Sequence, residues 1–237
     1  MVSPGTIESD RELKIQISPL RSVAENLKID EAMTRTAAAD GGVVLRLWWG
    51  DGPTVVVGRS EDPERVADLE ACRQLGVDII RRPSGGGTVL QTPGVLNYSL
   101  TAPAPVLLDI RALFSVGTRL LIATLARLGV VADARAVSDV AVADRKISGN
   151  AMAKRWGGVL LHGTLLYDLD MDLVERCLRH PPREPDYRRG RGHREFLTTL
   201  RAEGVRATPA DLEASMVAAA RCLWSEGTMA SVLSAPR

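Results

Sequence analysis

Cysteine, histidine and lysine are scarce in this sequence, and each scarcity removes a class of protein. Among its 237 residues are three cysteines and three histidines. Cys72, Cys177 and Cys222 are odd in number and far apart, so they form neither a disulfide framework nor a paired-cysteine zinc site. A reducing cytoplasm is the compartment they imply. His162, His180 and His193 lack metal-ligand spacing. No apolar run approaches the roughly 18–20 residues needed to cross a bilayer, so no membrane is expected. The stretch Met1 to Asp10 is polar and acidic, without the apolar segment of a secretory signal. The formal net charge is +1, which provides no global field to recruit nucleic acid or an anionic surface. Neither a GxxxxGK[ST] nor a GxGxxG motif is present, which excludes the two commonest phosphate loops. Lys14, Lys28, Lys146 and Lys154 are the only lysines in a Lys+Arg total of 30, so a lysine inside a motif stands out.

What is there is ordinary globular material. Hydrophobic residues make up 45% and charged residues 25%, and the length reads as one large domain over 1–237 that can bury a core. Residues 22–39 read as a helix with Leu27, Ala32 and Met33 on its apolar side, ended by Asp40-Gly41-Gly42. Residues 43–49 and 54–58 read as strands around Gly50-Asp51-Gly52-Pro53, a hairpin by appearance. Asp62 and Pro63 open a helix over 62–76. Further strands are expected at 77–82, 95–101, 136–143, 146–153 and 158–167. Helices are expected at 109–128 and 209–224. Strands that follow one another directly point to an α+β domain with a mixed, largely antiparallel sheet flanked by helices.

Three segments carry chemistry. In RRPSGGGTV, three consecutive glycines weaken a strand but permit positive φ and close approach of a ligand to the main chain. Successive N–H groups there form an anion-binding concavity. Ser84 and Thr88 add hydroxyls, and Arg82 adds a fork of donors suited to phosphate. The competing reading is a tight turn with solvated arginines. In DRKISGNA, Lys146 at a strand start can offset charge developing on a phosphate or carbonyl. A lone lysine is more often a surface residue, but Ser148-Gly149 beside it allows backbone approach. Asp139 upstream can accept a donor or help hold a metal. In LLHGTLL, Gly163 inside an apolar strand marks a bulge or a close approach, and His162 is equally a satisfied core histidine or a catalytic one. Asn97, in LNYSL, either binds a ligand or points to solvent.

Taken in order, RRPSGGGTV, LNYSL, DRKISGNA and LLHGTLL resemble the lipoate–protein ligase A family, within the wider biotin and lipoate attachment fold. AENLKIDEAM, LRLWWGDGPTVVVGRSEDPE and HPPREPDYRRGRGHREFLT agree with it, so the resemblance spans roughly residues 20–200. It implies that lipoate (or octanoate) and ATP, with Mg²⁺, give an acyl-adenylate, and that the acyl group passes to a lysine of an acceptor lipoyl domain. By the same resemblance, Arg82, Ser84, Gly85, Gly86 and Gly87 line the adenylate and lipoyl pocket. Lys146 is the central lysine at the acyl-phosphate linkage, and Asp139 is the acidic position before it and the one candidate for holding Mg²⁺. Gly149 and Ala151 lie beside the acyl chain or adenine, Gly163 and Thr164 contact the nucleotide, and Asn97 is the polar strand position after the glycine turn.

Two departures bear on function. Many relatives carry a separate accessory domain after the catalytic one. Only about forty residues follow the basic stretch here, a helical tail too short for such a domain, which implies either a separate accessory subunit or a different acceptor range. Relatives that transfer octanoyl groups from acyl carrier protein use a cysteine, in one branch ahead of the motif lysine, and residues 129–145 contain none. The three cysteines read instead as small buried hydrophobes. That favours an ATP-dependent ligase over an octanoyl or lipoyl transferase, with a non-catalytic lipoyl-binding accessory subunit as a third reading. Residues 179–194 hold six arginines against Glu184 and Asp186. This basic loop either docks an acidic acceptor or is merely solvated. With only Tyr187 and Phe196 interleaved, it is not read as a nucleic-acid site.

Overall fold

The computed structural model describes residues 12–233, so the polar start, Met1 to Asp10, lies outside the described residues. A strand β1 (Leu13–Ile17), a helix α1 (Val23–Asp40) and a strand β2 (Val43–Trp49) form the first unit. Ser22 and Glu25 close a reciprocal capping box at the start of α1, and Gly41 ends it at φ +80°. Because α1 returns the chain to its starting end, β1 and β2 pair in parallel.

The chain then leaves this sheet. Strands β3 (Thr54–Val57), β4 (Asp78–Arg81) and β5 (Val89–Gln91) make a small sheet in the order β4-β3-β5, with the short helices α2 (Pro63–Val66) and α3 (Leu69–Gln74) crossing from β3 to β4. The expected hairpin of 43–49 with 54–58 is therefore corrected. β2 has β1 and β6 (Val95–Pro103) on its two edges, so β3 has no edge to join there. The helix expected over 62–76 is two, because Ala67 is extended and bridges to Leu178 while Asp68 caps α3 from Ala71 N.

After β6 come the helix α4 (Ile110–Arg127), the strands β7 (Asp133–Arg135), β8 (Asp139–Val142), β9 (Arg145–Arg155) and β10 (Gly158–Leu166), and the helix α5 (Met171–Cys177). The strand expected over 136–143 starts only at Asp139, because Ala136 turns the chain at φ +49°. A 3₁₀ turn (Asp186–Arg188) and the helices α6 (His193–Phe196), α7 (Pro209–Ser225) and α8 (Ala230–Leu233) complete the described chain. The large sheet has the order β1-β2-β6-β10-β9-β8-β7, and every pairing in it except β1 with β2 is antiparallel. This is an α+β fold with a mixed, largely antiparallel sheet. Every residue of β6 is buried, as a central strand covered on both faces requires.

The two faces of the sheet differ. On one, Tyr98 and Leu161 pack against Gly117 of α4. On the other, α1 buries Asn26, Asp30 and Thr34 in place of the expected Leu27, Ala32 and Met33 stripe. The cause is Arg46 of β2, a fully buried guanidinium. It donates to Asp30 Oδ1 at 2.8 Å, to Asn26 O at 3.2 Å, to Ser18 Oγ at 2.7 Å, and to Asn26 Oδ1. Ser99 of β6 donates to the other Asp30 oxygen at 2.5 Å. Burial pushes the Asp30 carboxyl up to about 6, against the pull of Ser99 and Arg46, so it is ionised at neutral pH.

Removing one partner of such a pair leaves a buried charge uncompensated. Asp30→Ala is expected to lower the unfolding free energy by about 3–5 kcal/mol, read from urea titration. A loss below about 1 kcal/mol would show that the pair does not hold α1 to the sheet.

Candidate active site

The glycine turn joins β4 to β5 and is built around the side chain of Arg82. This residue is buried, and its Nε donates to Ser84 Oγ at 3.0 Å and its Nη1 to Val56 O at 3.2 Å. Its Nη2 donates to Gly85 O at 2.8 Å and to Gly87 O at 2.7 Å. The expected phosphate fork is thus largely occupied by the protein's own oxygens. With the carbonyls of Gly85 and Gly87 drawn to the guanidinium, the trans peptides turn the N–H groups of Gly86 and Thr88 away from it. Gly86 makes the bend at φ +86°. The turn lies directly on Gly58, where a Cβ would come within 2.0 Å of Gly86 O. Burial lowers the Arg82 pKa to about 10, so the charge persists at neutral pH.

Below the turn, Ser84 Oγ lies 2.6 Å from His162 Nε2. While accepting from Arg82, the Ser84 hydroxyl can either donate to Nε2 or accept a second bond from it, according to the ring's tautomer. Burial and then the charge of Arg82 push the His162 pKa down to about 3. His162 is a satisfied neutral histidine that also faces the cavity.

Across from the turn stands Lys146. Its Nζ pairs with Asp139 Oδ1 at 2.8 Å, and Asp139 Oδ2 accepts from the Tyr187 hydroxyl at 2.9 Å. Gly149 leaves the space the lysine occupies, since a Cβ there would sit 2.8 Å from Lys146 Cε and Nζ. Gly163 does the same for Asn150, whose Oδ1 would be 2.2 Å from an added Cβ. Asn150 is fixed by Tyr98 OH and by its own Nδ2 donating to Ser138 O at 2.7 Å. Asn97 is buried and not solvated as one reading had it. Its amide is paired with that of Gln91, at 2.8 and 3.0 Å, and donates to Val95 O, so it ties β5 to β6.

These groups share one cavity of about 330 Å³. Arg82, Gly86, Gly87, Asn97, Asp139, Lys146, Gly149, Ala151, Gly163 and Thr164 all line it. Ser84 and Gly85 do not; Ser84 is fully buried behind the turn, and Gly85 is exposed. Val23, Leu27, Trp48, Val56 and Val89 give the cavity an apolar wall suited to an aliphatic chain. No cysteine lines it: Cys72 and Cys177 are buried. Cys222 is exposed, which corrects its reading as a buried hydrophobe.

The basic stretch 179–194 forms another wall. Most of its arginines are engaged within the protein. Arg188 is buried and donates to Arg191 O at 2.9 Å, and Arg191 reaches Asp144 O and Tyr187 O at 2.8 Å each. Arg179 donates to Ala67 O, and Arg194 pairs with Asp172. Among the described residues, Arg183 and Arg189 are the two of this stretch that are exposed and have no hydrogen bond or ion pair. Arg183 also lines the cavity.

A protein-held Mg²⁺ does not fit these residues. Both Asp139 oxygens are taken by Lys146 and Tyr187, and the described residues contain no cluster of three or more metal-ligating side chains. In this structure Asp139 serves Lys146 and Tyr187. Asn150, Tyr187 and Trp48 are cavity or near-cavity residues to which sequence reasoning gave no site role. Only Asn150 had a local signal, as a polar residue between Gly149 and Ala151 in one strand.

Residues 22–221 match the family model described as the lipoyl protein ligase A/B catalytic domain. A provisionally named lipoate-protein ligase A of Aeropyrum pernix is 34% identical over 153 residues, covering 65% of this chain and 57% of that protein. The octanoyltransferase LipM of Carboxydothermus hydrogenoformans is 30% identical over 178 residues, covering 67% of this chain and 66% of its own. The chain thus spans less than two thirds of the length of these curated relatives. A solved archaeal lipoylation system, a bi-partite lipoate protein ligase and its E2 lipoyl domain from Thermoplasma acidophilum, superimposes with a TM-score of 0.77. It is 25% identical over 92% of this chain and 84% of that one.

A histidine held neutral in the fold binds fewer protons than it does unfolded between pH 6.5 and about 3. Its contribution to stability is complete above 6.5 and is lost as pH falls, by about 1.4 kcal/mol per unit through that window. His162→Gln is expected to flatten the fall in unfolding free energy between pH 6.5 and 4.5. Identical pH slopes for variant and wild type would show that His162 is not held neutral.

Proposed function

Because the chain belongs to the lipoyl protein ligase A/B catalytic-domain family, we propose that it is an ATP-dependent lipoate–protein ligase. In this reading it activates lipoate or octanoate as the acyl-adenylate and passes the acyl group to a lysine of an acceptor lipoyl domain. The observation that carries the reading is the Lys146–Asp139 pair, set across one cavity from a glycine turn whose N–H groups face away from Arg82, with no cysteine on the cavity wall.

In the first step a carboxylate oxygen of the acid attacks the α-phosphorus of ATP, the bond to the β-phosphate oxygen breaks, and pyrophosphate leaves. The aliphatic chain lies against Val23, Leu27, Trp48 and Val56. Lys146 has three N–H donors, of which Asp139 takes one, and the others offset charge on the carboxylate and the α-phosphate. The N–H groups of Gly86 and Thr88 supply uncharged donors to the same oxygens. In the second step the acceptor's neutral amine attacks the acyl carbon and AMP leaves, so the protein needs no nucleophile of its own. Its work is positioning and charge stabilisation. Magnesium enters this reading only as the companion of the triphosphate, since the protein offers it no cage.

Arg183 and Arg189 are the free cations of the basic wall and fit carboxylates on an acidic acceptor. The Thermoplasma ligase is bi-partite, which supports a separate accessory subunit here as well. All three cysteines are free and no described helix is long and apolar enough to cross a membrane, which supports a cytoplasmic place of action. The likeness to LipM supports a second reading, octanoyl transfer from acyl carrier protein. Against it stands the lack of a cavity cysteine to carry the thioester. A non-catalytic accessory role is disfavoured by the intact Lys146 and glycine turn.

Mass spectrometry of an apo lipoyl domain separates these readings. A lipoyl gain that requires ATP is expected; a gain from octanoyl carrier protein without ATP would transfer the chain to the second reading. Lys146→Ala is expected to lower pyrophosphate release at least about 100-fold. Replacement of Cys72, Cys177 and Cys222 by alanine is expected to leave turnover within about 3-fold, since none faces the cavity. Wild-type turnover in the lysine variant, or its abolition in a folded cysteine-free chain, would overturn the ligase assignment.

A further inference from the structure

We infer that Tyr187 is a positioning residue that ties the wall formed by residues 179–194 to the Asp139–Lys146 pair, so that the seating of the wall and the aim of the lysine are set together. The activity arm of its test rests on the adenylation reading above; the structural arm does not.

A carboxylate held at one oxygen still swings about its side-chain torsions. Asp139 is held at both, by Lys146 at Oδ1 and by Tyr187 at Oδ2. A lysine ammonium is a point charge on a flexible stem, so its direction is set by whatever fixes its partner. Tyr187 is itself fixed. Its ring lies 5.1 Å from that of Phe196, and the Phe196 ring carries the guanidinium groups of Arg188 at 4.8 Å and Arg191 at 5.5 Å. Arg191 of the wall also donates to Asp144 O, just before β9, at 2.8 Å, and beyond the wall Thr198 N donates to Lys146 O at 2.9 Å. Those contacts place the strand. Among the described residues, Tyr187 is the wall side chain that bonds to the pair itself. Burial and the charge of Asp139 hold its phenol well above the usual tyrosine range, so it stays a donor at assay pH.

Tyr187→Phe removes the hydroxyl and keeps the ring that packs on Phe196. In the full chain, kcat for pyrophosphate release is expected to fall about 10-fold, with KM for lipoate and for ATP within about 2-fold. Trypsin cleavage after the arginines of 179–194 is expected to quicken several-fold in the same variant, as the wall loosens. A packing role alone predicts no change in kcat, because the ring remains. An unchanged kcat, a change confined to KM, or a lower kcat with unaltered cleavage would each overturn the coupling. If the wild type releases no pyrophosphate with lipoate or octanoate, the adenylation reading fails, and the cleavage comparison decides alone. Faster cleavage in the variant then supports the tie, and equal cleavage overturns it.

Discussion

The guanidinium of Arg82 draws two glycine carbonyls inward, and the geometry of the cavity depends on that attraction. A free triglycine segment samples both signs of φ and loses much entropy on ordering. Here the loss is offset by hydrogen bonds from a buried charge, which are stronger than neutral ones. The same side chain holds Ser84, which contacts His162 Nε2, and its charge disfavours protonation of that ring. Gly58 completes the arrangement, because any side chain there would collide with the Gly86 carbonyl. One buried cation therefore determines the turn, the histidine beneath it and the direction of the N–H groups.

The second buried arginine does the corresponding work for the fold. Arg46 gathers Asp30, Asn26 and Ser18 on the face of the sheet that α1 covers. That face is polar and hydrogen-bonded, while the face under α4 carries Tyr98, Leu161 and their apolar neighbours. Polar networks accept one arrangement where oily surfaces accept several. It is consistent that α1, seated on the polar face, also presents Val23 and Leu27 to the cavity. An error in the register of α1 would move the apolar wall of the cavity.

The parts of this design that were legible in the sequence are local. Consecutive glycines, an isolated lysine among arginines, and a capped helix beginning at Ser22 each announce themselves within a few residues. The parts that were not legible depend on distant partners. The buried face of α1 was misassigned because its partner Arg46 lies 16 residues beyond Asp30. The hairpin of 43–49 with 54–58 failed because β2 pairs with β1 and β6 on both edges, a matter of sheet order that alternation cannot reveal. Tyr187 was passed over as one aromatic in a basic run, since Asp139 is 48 residues away. Arg82 was read as a phosphate ligand because its donors were visible in the sequence and the carbonyls that occupy them were not.

The occupied donors of Arg82 bear on the choice of lysine at position 146. Arginine is the default cation of this chain, and apart from Arg183 the arginines that line the cavity are drawn to main-chain carbonyls. Arg82 holds Gly85 and Gly87, Arg188 holds Arg191 O, and Arg191 holds Asp144 O and Tyr187 O. A planar fork with five donors is suited to such fixed tasks. In the proposed adenylation, a group that meets an acid, then a phosphoanhydride, then an incoming amine needs donors that remain uncommitted. The ammonium of Lys146 keeps its aim through one bond to Asp139 and retains two protons for whatever occupies the cavity. An arginine at 146 would present a broader, planar fork to the space that Gly149 leaves for the lysine stem, and its donors would be open to the same capture by carbonyls.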